Sequence, residues 1–200
     1  MSTRIKMLAL IIMAIVVVAA VWRYTFSEPP APELDQSIDT SRRRVEVSFD
    51  YLRQGGMASN QLALWITDKD GKIVKTLFAT NFTAGRGGWR SRKESLPRWV
   101  ADSGIDRMDK ARVDAVSRAT PRSGTIRCAW YCEDDAGKPV PEGRYTINLE
   151  GSLRWENRAL FRGDVSLNDG GGEMKPIPVF FGDSDAERGM LTKVVFRFIP

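Results

Sequence analysis

The sequence predicts a mainly β fold, an antiparallel β-sandwich with one or two short helices, preceded by an N-terminal transmembrane helix. Three observations lead to this prediction. Apolar and polar residues alternate through much of the chain after residue 43, turn signals separate the alternating runs, and an uncharged apolar run occupies residues 7–22. Alternation with a period of two is the pattern of half-buried strands, and many such runs separated by turns are typical of a sandwich.

The composition excludes several classes of function. Of the 200 residues, 42% are hydrophobic and 28% are charged, and histidine is absent. Without imidazole, the chain cannot use histidine acid–base catalysis, Ser-His-Asp or Cys-His nucleophiles, or zinc sites that need a histidine ligand. We therefore expect no bound metal and no hydrolase of these kinds.

The net charge argues against nucleic acid as a partner. The chain has 30 basic and 25 acidic residues. Three of the basic residues, Arg4, Lys6 and Arg23, flank the apolar run, which leaves 27 basic against 25 acidic residues, or +2, for the remainder. A balance so near neutrality gives little attraction to a phosphate backbone.

Residues 1–26 are predicted to form a signal anchor or a signal peptide. The basic start and the apolar run after it are typical of segments recognised by export machinery. Val18-Ala19-Ala20 resembles a cleavage site, whereas the near-spanning length of the run favours an uncleaved anchor. Because the positive charge lies at the N-terminal side, the rest of the chain is expected outside the cytoplasm.

Residues 27–42 are predicted to form a proline-containing tether, and residues 43–200 a single β-sandwich domain. Pro29, Pro30 and Pro32 lie among acidic and small polar residues that show no apolar periodicity. Alternation begins only at Val45. The length from Arg43 onward lies within the usual range of one domain.

Strands and turns are predicted from local patterns. The alternating apolar positions are Val45, Val47, Phe49 and Tyr51; Leu62, Leu64 and Ile66; Tyr145, Ile147, Leu149, Leu153 and Trp155; and Val194, Phe196 and Phe198. Asp68-Lys69-Asp70-Gly71 predicts a hairpin turn with Gly71 at a positive φ. Helices are predicted only at 96–103 and 106–116, with Asp106 capping the second.

The tryptophans are predicted to serve packing more than binding. Trp65, Trp99 and Trp155 lie in or beside apolar stripes, which places them in the core or at its rim. Trp89 is the best candidate for an exposed aromatic. It lies in the basic stretch 86–93, which suits either a solvated loop or a phosphate or acidic partner.

Cys128 and Cys132 are the only cysteines in the chain. An oxidising compartment favours a disulfide between them. Four strand residues span about 13 Å, however, whereas a disulfide joins Cα atoms about 5.5 Å apart. A disulfide would therefore require the chain to turn near Trp130. The sequence is compatible with a disulfide and with two separate thiols.

The run from Trp130 to Tyr145, Trp-Tyr-Cys-Glu-Asp-Asp-Ala-Gly-Lys-Pro-Val-Pro-Glu-Gly-Arg-Tyr, resembles a strand-hairpin signature of the Ig-like domain in flagellar hook-capping proteins. The resemblance implies an Ig-like sandwich, in which Gly137 and Gly143 take turn conformations and Trp130 packs on Tyr145 across the strand pair. Tyr131-Cys132 replaces the usual Asp-Gly, so the local turn differs from the signature.

Over most of residues 45–155 the chain resembles a family of predicted periplasmic bacterial proteins of unknown function. Among the segments that carry the likeness are Asn60-Gln61-Leu62-Ala63-Leu64-Trp65-Ile66, Gly87-Gly88-Trp89, and Ser95-Leu96-Pro97-Arg98-Trp99-Val100. Members of that family are associated with periplasmic flavin transferases and PepSY-type membrane proteins. The resemblance therefore implies extracytoplasmic redox work beside such partners. Together with the anchor predicted from the leader, it gives the expectation of a single-pass protein of the bacterial inner membrane whose folded domain lies in the periplasm.

The segment Asp114-Ala115-Val116-Ser117-Arg118-Ala119-Thr120 is similar to the flavinylation motif Asp-x-x-Ser/Thr-Gly-Ala-Thr/Ser of bacterial electron-transfer subunits that carry covalent FMN. The resemblance implies that Thr120 carries FMN through a phosphoester bond and that Asp114 and Ser117 are recognised by the transferase. Arg118 stands where the motif has Gly, so it either blocks the transferase or pairs with the flavin phosphate. The alternative is that residues 117–124 merely connect a short helix to the next strand.

Two classes of function follow. The first is a membrane-anchored periplasmic component of a flavin-linked extracytoplasmic electron-transfer system, either as a covalent FMN carrier or as an accessory protein. In either role we expect an electron carrier or accessory protein more than an enzyme. The second is a cofactor-free Ig-like binding or accessory module of the cell envelope. A hydrolase that uses Glu133, Asp134 and Asp135 is disfavoured, because these carboxylates lie in a predicted turn.

Overall fold

The structure, a computed structural model, describes residues 37–56, 59–168, 170–182 and 186–200. The predicted leader, 1–26, and the proline-containing part of the predicted tether lie outside the described residues. Within the described ranges, no helix has the length and apolar character needed to cross a membrane.

The described part of the chain is mainly β with a few short helices, as predicted. The strands are β1 (Arg44–Tyr51), β2 (Gln61–Asp68), β3 (Ile73–Thr80), β4 (Ser117–Arg118), β5 (Gly124–Trp130), β6 (Arg144–Arg154), β7 (Asn157–Ser166), β8 (Gly172–Met174), β9 (Ile177–Phe181) and β10 (Leu191–Ile199). The helices are α1 (Gly88–Ser91), α2 (Pro97–Ser103), α3 (Lys110–Val116) and α4 (Ala186–Met190), with a 3₁₀ turn at Ile105–Arg107.

The strands form two sheets. One has four strands in the order β5-β1-β10-β8, and the other has six in the order β4-β3-β2-β6-β7-β9. Neighbouring strands run antiparallel, except that the short strand β4 runs parallel to β3 at the edge of the six-stranded sheet. The predicted turn at Gly71, with a φ of 77°, joins β2 to β3.

The main hydrophobic core lies between the two sheets. Val45, Val47 and Phe49 of β1 contribute from the four-stranded sheet, as alternation predicted, and Leu64 and Ile147 are among the residues that contribute from the six-stranded sheet. Each such side chain contributes on the order of 2 kcal/mol when it is removed from water. The two sheets thus pack face to face on a shared core, as in a β-sandwich.

A second, smaller core lies on the other face of the six-stranded sheet. Ala63 and Trp65 of β2 pack there against Leu96 and Trp99 of the helical segment 81–116. Seven of the eight residues of β2 are consequently buried. The six-stranded sheet is therefore a middle layer, covered by the four-stranded sheet on one face and partly by helices on the other.

The predicted helix at 106–116 begins later than expected. Asp106 lies in the 3₁₀ turn, and α3 begins at Lys110. The cap is Asp109, whose extended backbone lets its carboxylate accept the Arg112 N–H at 2.9 Å. The predicted role of Asp106 as cap is wrong for this reason.

Trp155 is not a core residue, contrary to the prediction. It lies in the two-residue turn between β6 and β7 with a φ of 48°, and 59% of it is exposed. The register of β6 shifts between Ser152 and Arg154. Alternation therefore breaks just before Trp155, whereas Trp65 and Trp99 are fully buried as predicted.

The run from Trp130 to Tyr145 connects the two sheets, and the strands at its ends, β5 and β6, do not pair with each other. Within the run a small hairpin does form, with an antiparallel bridge between Glu133 and Pro139 and a turn in which Gly137 has a φ of 75°. The run begins where β5 of the four-stranded sheet ends, and it finishes as β6 of the six-stranded sheet begins. The rings of Trp130 and Tyr145 do meet, edge to face at 5.2 Å between centroids. The expected contact is thus present, but it lies between sheets, and the expected hairpin between the flanking strands is wrong.

The residues just before β1 are fixed on this connection. The Asp39 N–H donates to the Tyr131 hydroxyl at 2.8 Å, Arg42 forms an ion pair with Glu133, and Arg43 forms one with Glu142 at 2.6 Å. The chain therefore enters the domain along the run between Trp130 and Tyr145.

Both cysteines are present as buried thiols. Cys128 lies on β5, and Cys132 follows that strand with a φ of 57°. Burial raises the pKa of Cys132 to about 11, so this thiol is a poor nucleophile at neutral pH.

Candidate functional site

The flavinylation-like segment lies at the edge of the six-stranded sheet. Asp114 is in the last half of α3, and Ser117 and Arg118 form β4. β4 pairs with Ala79 and Thr80 of β3, and the Arg118 carbonyl accepts the Asn81 N–H at 2.7 Å. The connection from α3 to β5 therefore includes an ordered edge strand.

The side chains of Ser117 and Arg118 are engaged at the end of α3. The Ser117 hydroxyl donates to the Val113 carbonyl at 2.7 Å. The Arg118 guanidinium donates to the carbonyls of Ala115 and Ser117 at 2.9 and 2.8 Å. The Val113 carbonyl also accepts the Ser117 backbone N–H, so the hydroxyl is a second donor to that carbonyl. The Ala115 carbonyl lies in the last turn, where carbonyls lack a partner within the helix, and Arg118 supplies a donor for it.

The backbone at Arg118 does not require glycine. Arg118 pairs as a strand with Thr80, and it is not among the described residues with a positive φ. The substitution of Arg for the motif's Gly therefore costs no backbone strain in this fold.

Thr120 follows β4 and is half-buried, directly before the buried Pro121. Among the described residues, no hydrogen bond uses its hydroxyl. Asp114 is exposed and forms an ion pair with Lys110, four residues earlier on α3. The structure thus brings Asp114, Ser117 and Thr120 to one edge of the sheet, without a direct contact among their side chains.

A surface cleft lies beside this segment. Trp89 separates it into two cavities, one of about 330 Å³ toward α3 and one of about 490 Å³ toward α2. We call these two cavities together the Trp89 cleft. Its polar lining consists mainly of Arg86, Arg90, Lys93, Lys110 and Asp114. The basic stretch 86–93 and the motif residue Asp114 therefore line one site, a proximity that the sequence did not indicate.

The loop that carries Trp89 is held at its base by buried polar groups. The hydroxyls of Thr83 and Ser95 lie 2.6 Å apart, and Thr83 also donates to the Gln61 side chain at 3.1 Å. Thr83, Ser95 and Gln61 are all buried. These bonds join the two ends of the loop to each other and to β2.

Glycines let the loop pack closely. A Cβ added to Gly85 would collide with the Asn81 side chain, and one added to Gly88 would collide with the carbonyl oxygen of Phe82. The same Cβ on Gly85 would lie 3.0 Å from the Ser117 Oγ. The floor of the cleft thus adjoins β4.

The cleft is electropositive. The Arg90 guanidinium lies 4.6 Å from the centroid of the Trp89 ring, a cation–π contact. Asp114, its one anion, is already paired with Lys110. Among the described residues, Arg86 and Lys93 form no ion pair. An anionic group could bind here without displacing an internal partner.

The helical layer is anchored by Glu150, a residue that the sequence analysis did not identify. This fully buried carboxylate on β6 accepts the N–H of Trp99 at 2.9 Å and that of Arg98 at 3.3 Å, and it pairs with Arg158 at 3.1 Å. Burial raises its pKa, and the two backbone donors and Arg158 oppose that rise. Glu150 occupies a polar position of an alternating strand, which by pattern alone would face solvent.

The part of the chain that the structure describes offers no metal site, in that it brings together no group of three His, Cys, Asp or Glu side chains able to hold an ion.

One protein family matches this chain. The profile of a family described as predicted periplasmic protein matches residues 42–177, just over two thirds of the chain. The matched range includes the Trp89 cleft and the segment 114–120. No curated protein and no solved structure matches the chain. The match confirms the expected resemblance to a periplasmic family, and the chain belongs to the DUF2271 family of predicted periplasmic proteins.

Proposed function

We propose that this protein is a membrane-anchored periplasmic component of a flavin-linked electron-transfer system and that it carries FMN covalently on Thr120. The observation that supports the proposal most directly is the position of the flavinylation-like segment beside a cationic cleft with an accessible tryptophan. Asp114 belongs to both the segment and the cleft lining. The Ser117 Oγ lies next to Gly85 of the cleft.

An attached phosphate suits the Thr120 hydroxyl together with the cations of the Trp89 cleft. The Thr120 hydroxyl bonds to no described residue, and the nearby cleft supplies cations. Attachment forms a phosphoester between the Thr120 Oγ and the flavin phosphate as the hydroxyl loses its proton. With a flavin dinucleotide as donor, the phosphoanhydride bond breaks and the adenosine monophosphate half leaves. The bound isoalloxazine would supply the electron chemistry, and the protein would hold and orient it.

Intact-mass measurement after co-expression with a flavin transferase tests the carrier function. We expect a mass increase equal to one FMN less one water. The adduct should disappear in Thr120→Ala and persist at reduced yield in Ser117→Ala. Thr125→Ala removes an exposed hydroxyl outside the motif, on β5, and should retain the adduct at full yield.

Arg118→Gly tests whether this arginine hinders the transferase. The substitution opens the approach to Thr120 and frees two carbonyls at the end of α3, so the adduct yield should rise. An unmodified mass in both the native chain and Arg118→Gly, with the transferase active on another substrate, would refute the carrier function.

The membrane anchor is part of the same proposal. Arg4 and Lys6 would hold the N-terminus in the cytoplasm, so that residue 27 onward lies in the periplasm near a flavin transferase and a PepSY-type membrane protein. A periplasm-dependent reporter fused after Pro200 should be active and should fractionate with the inner membrane. Activity only from a cytoplasmic reporter would reverse this orientation.

A second candidate function is a cofactor-free Ig-like binding or accessory module of the envelope. The observation that favours it is Arg118, whose guanidinium is engaged with helix carbonyls and whose bulk replaces the glycine of the motif. Purified protein that stays colourless after co-expression with an active transferase would support this function over the first.

A further inference from the structure

We propose that the Trp89 cleft is a non-covalent binding site for FMN, with the isoalloxazine stacked on the Trp89 indole and the phosphate held by the surrounding cations. This inference rests on the proposed function for the identity of its ligand. It adds a site that holds the flavin ring, separate from the residue that carries the covalent bond.

The Trp89 indole is accessible to a ligand. Trp89 is half-buried and lines cavities on both of its sides, whereas Trp65 and Trp99 in the same cluster are fully buried. The Arg90 guanidinium covers one face of the indole, so a planar ring would stack on the opposite face or move this exposed side chain aside, in neither case displacing a core side chain. Stacking of an aromatic heterocycle on such a side chain strengthens binding and tolerates any ring with a π-face.

The charge of the cleft suits a phosphate. The cleft lining carries four cations and one anion, and that anion is neutralised by Lys110. Arg86 and Arg90 present planar guanidinium groups, which bind phosphate oxygens in a bidentate manner. An aromatic ring and a phosphate in one molecule match the two kinds of lining.

The loop that carries Trp89 is preorganised. The Thr83–Ser95 contact closes the base of the loop, and the close packing at Gly88 restricts its backbone. A loop that is already fixed loses little conformational entropy on binding. The cleft is thus shaped before a ligand arrives.

Thr120 lies close to the cleft along the chain. Gly85 borders Ser117, and Thr120 is three positions further along the chain, at most about 11 Å away. A flavin attached at Thr120 therefore starts close to the cleft.

The test is a titration of the full-length chain in detergent, produced without a flavin transferase so that Thr120 is unmodified. FMN is added, and quenching of its fluorescence is followed to saturation. Riboflavin, inorganic phosphate and AMP are the comparison probes. We expect saturable FMN binding, with riboflavin at least about tenfold weaker because it lacks the phosphate contacts.

Variants locate the site. Trp89→Leu should weaken FMN binding about tenfold or more, and Trp89→Phe should weaken it less because a ring remains. Arg90→Gln should weaken the binding of FMN but leave the binding of riboflavin unchanged. The matched controls are Trp155→Leu and Arg154→Gln. That pair has a similar cation–π contact, 4.8 Å from guanidinium to ring centroid, on an exposed turn outside the cleft. Both controls should bind FMN as the native chain does.

The outcomes separate this inference from the covalent carrier function. Three results would overturn the inference, even if Thr120 is flavinylated. Free FMN does not bind the native chain, it binds Trp89→Leu and Trp89→Phe as tightly as the native chain, or AMP binds the native chain as tightly as FMN does. Saturable binding that depends on Trp89 would support it, even if no adduct ever forms on Thr120.

Discussion

The Glu150 carboxylate on β6 accepts the backbone N–H of Trp99 in the first turn of α2 at 2.9 Å. α2 follows Leu96, whose φ is 53°, and it has no side-chain cap of its own. A strand residue 51 positions away thus supplies the acceptor that a neighbouring Ser or Asp usually provides. The bond joins the helical layer, and with it one wall of the Trp89 cleft, to the middle of the sheet.

Glu150→Ala should destabilise the fold by about 3 kcal/mol or more. The change leaves two helix N–H groups without an acceptor and leaves Arg158 without its buried partner. Glu150→Gln should cost less, because an amide oxygen still accepts a bond. Urea unfolding measures both, with Glu142→Ala as the control. Glu142 is an exposed partner of Arg43, so its loss should cost much less than the loss of Glu150. Equal losses in Glu150→Ala and the control would contradict the anchoring role.

Trp65→Leu should cost roughly 3 kcal/mol, because it opens a cavity on the outer face of β2. It also removes the indole N–H that donates to Asp102 at 3.0 Å. Trp155→Leu should change the free energy of unfolding by about 0.5 kcal/mol or less, since Trp155 is exposed. Thermal or urea unfolding of the two variants tests whether Trp65 is buried and Trp155 is exposed. A large loss of unfolding free energy in Trp155→Leu would mean that Trp155 packs in the core.

Gly88→Ala should destabilise the protein by about 2 kcal/mol and disorder the Trp89 loop. Its new methyl group would collide with the carbonyl oxygen of Phe82, a backbone atom that cannot move alone. Gly55→Ala is the matched control, because a Cβ there meets nothing within 4 Å. Limited proteolysis within residues 84–94, read beside the unfolding curves, should show faster cleavage only in Gly88→Ala. Similar cleavage of both variants would mean that this packing does not fix the loop.

The stability of the protein should fall in alkaline solution, partly through Cys132. Burial raises the pKa of this thiol from 9.0 to about 11, so the folded state retains the proton longer than the unfolded state. The stabilisation is fully present below pH 9 and is lost as the pH rises through 11. Tyr51, whose pKa burial raises from 10.0 to about 12, acts in the same direction at higher pH. Unfolding free energies measured from pH 8 to 11 should decline less steeply for Cys132→Ala than for the native chain, and parallel declines would exclude the thiol as a cause.

Local pattern was sufficient for the strands that have one polar face. β1 and β10 alternate because only one face of each meets the main core, and that alternation is visible in a run of a few residues. The turn at Gly71 was predictable for a similar reason, since a positive φ is a property of a single residue.

Local pattern failed where a distant segment changes what a residue faces. Glu150 is buried only because the helical segment covers its face of the sheet, and Trp155 is exposed because a shift in register precedes it. The run after Trp130 carries turn residues that suit a hairpin, yet its two ends belong to different sheets. Strand order depends on which faces find apolar partners, and a local window contains no information about that choice.

The sequence by itself determined the β class, the individual strands, the absence of histidine chemistry and the residues of the flavinylation-like segment. Only the tertiary structure decided that the basic loop around Trp89 lies beside Asp114 and Ser117. The two segments are about 25 residues apart in the chain, and they meet because β4 pairs in parallel with β3, from which the loop departs. The physical reason is that periodicity reports how one segment is buried, whereas a site built from two segments depends on the pairing of strands that are distant in sequence.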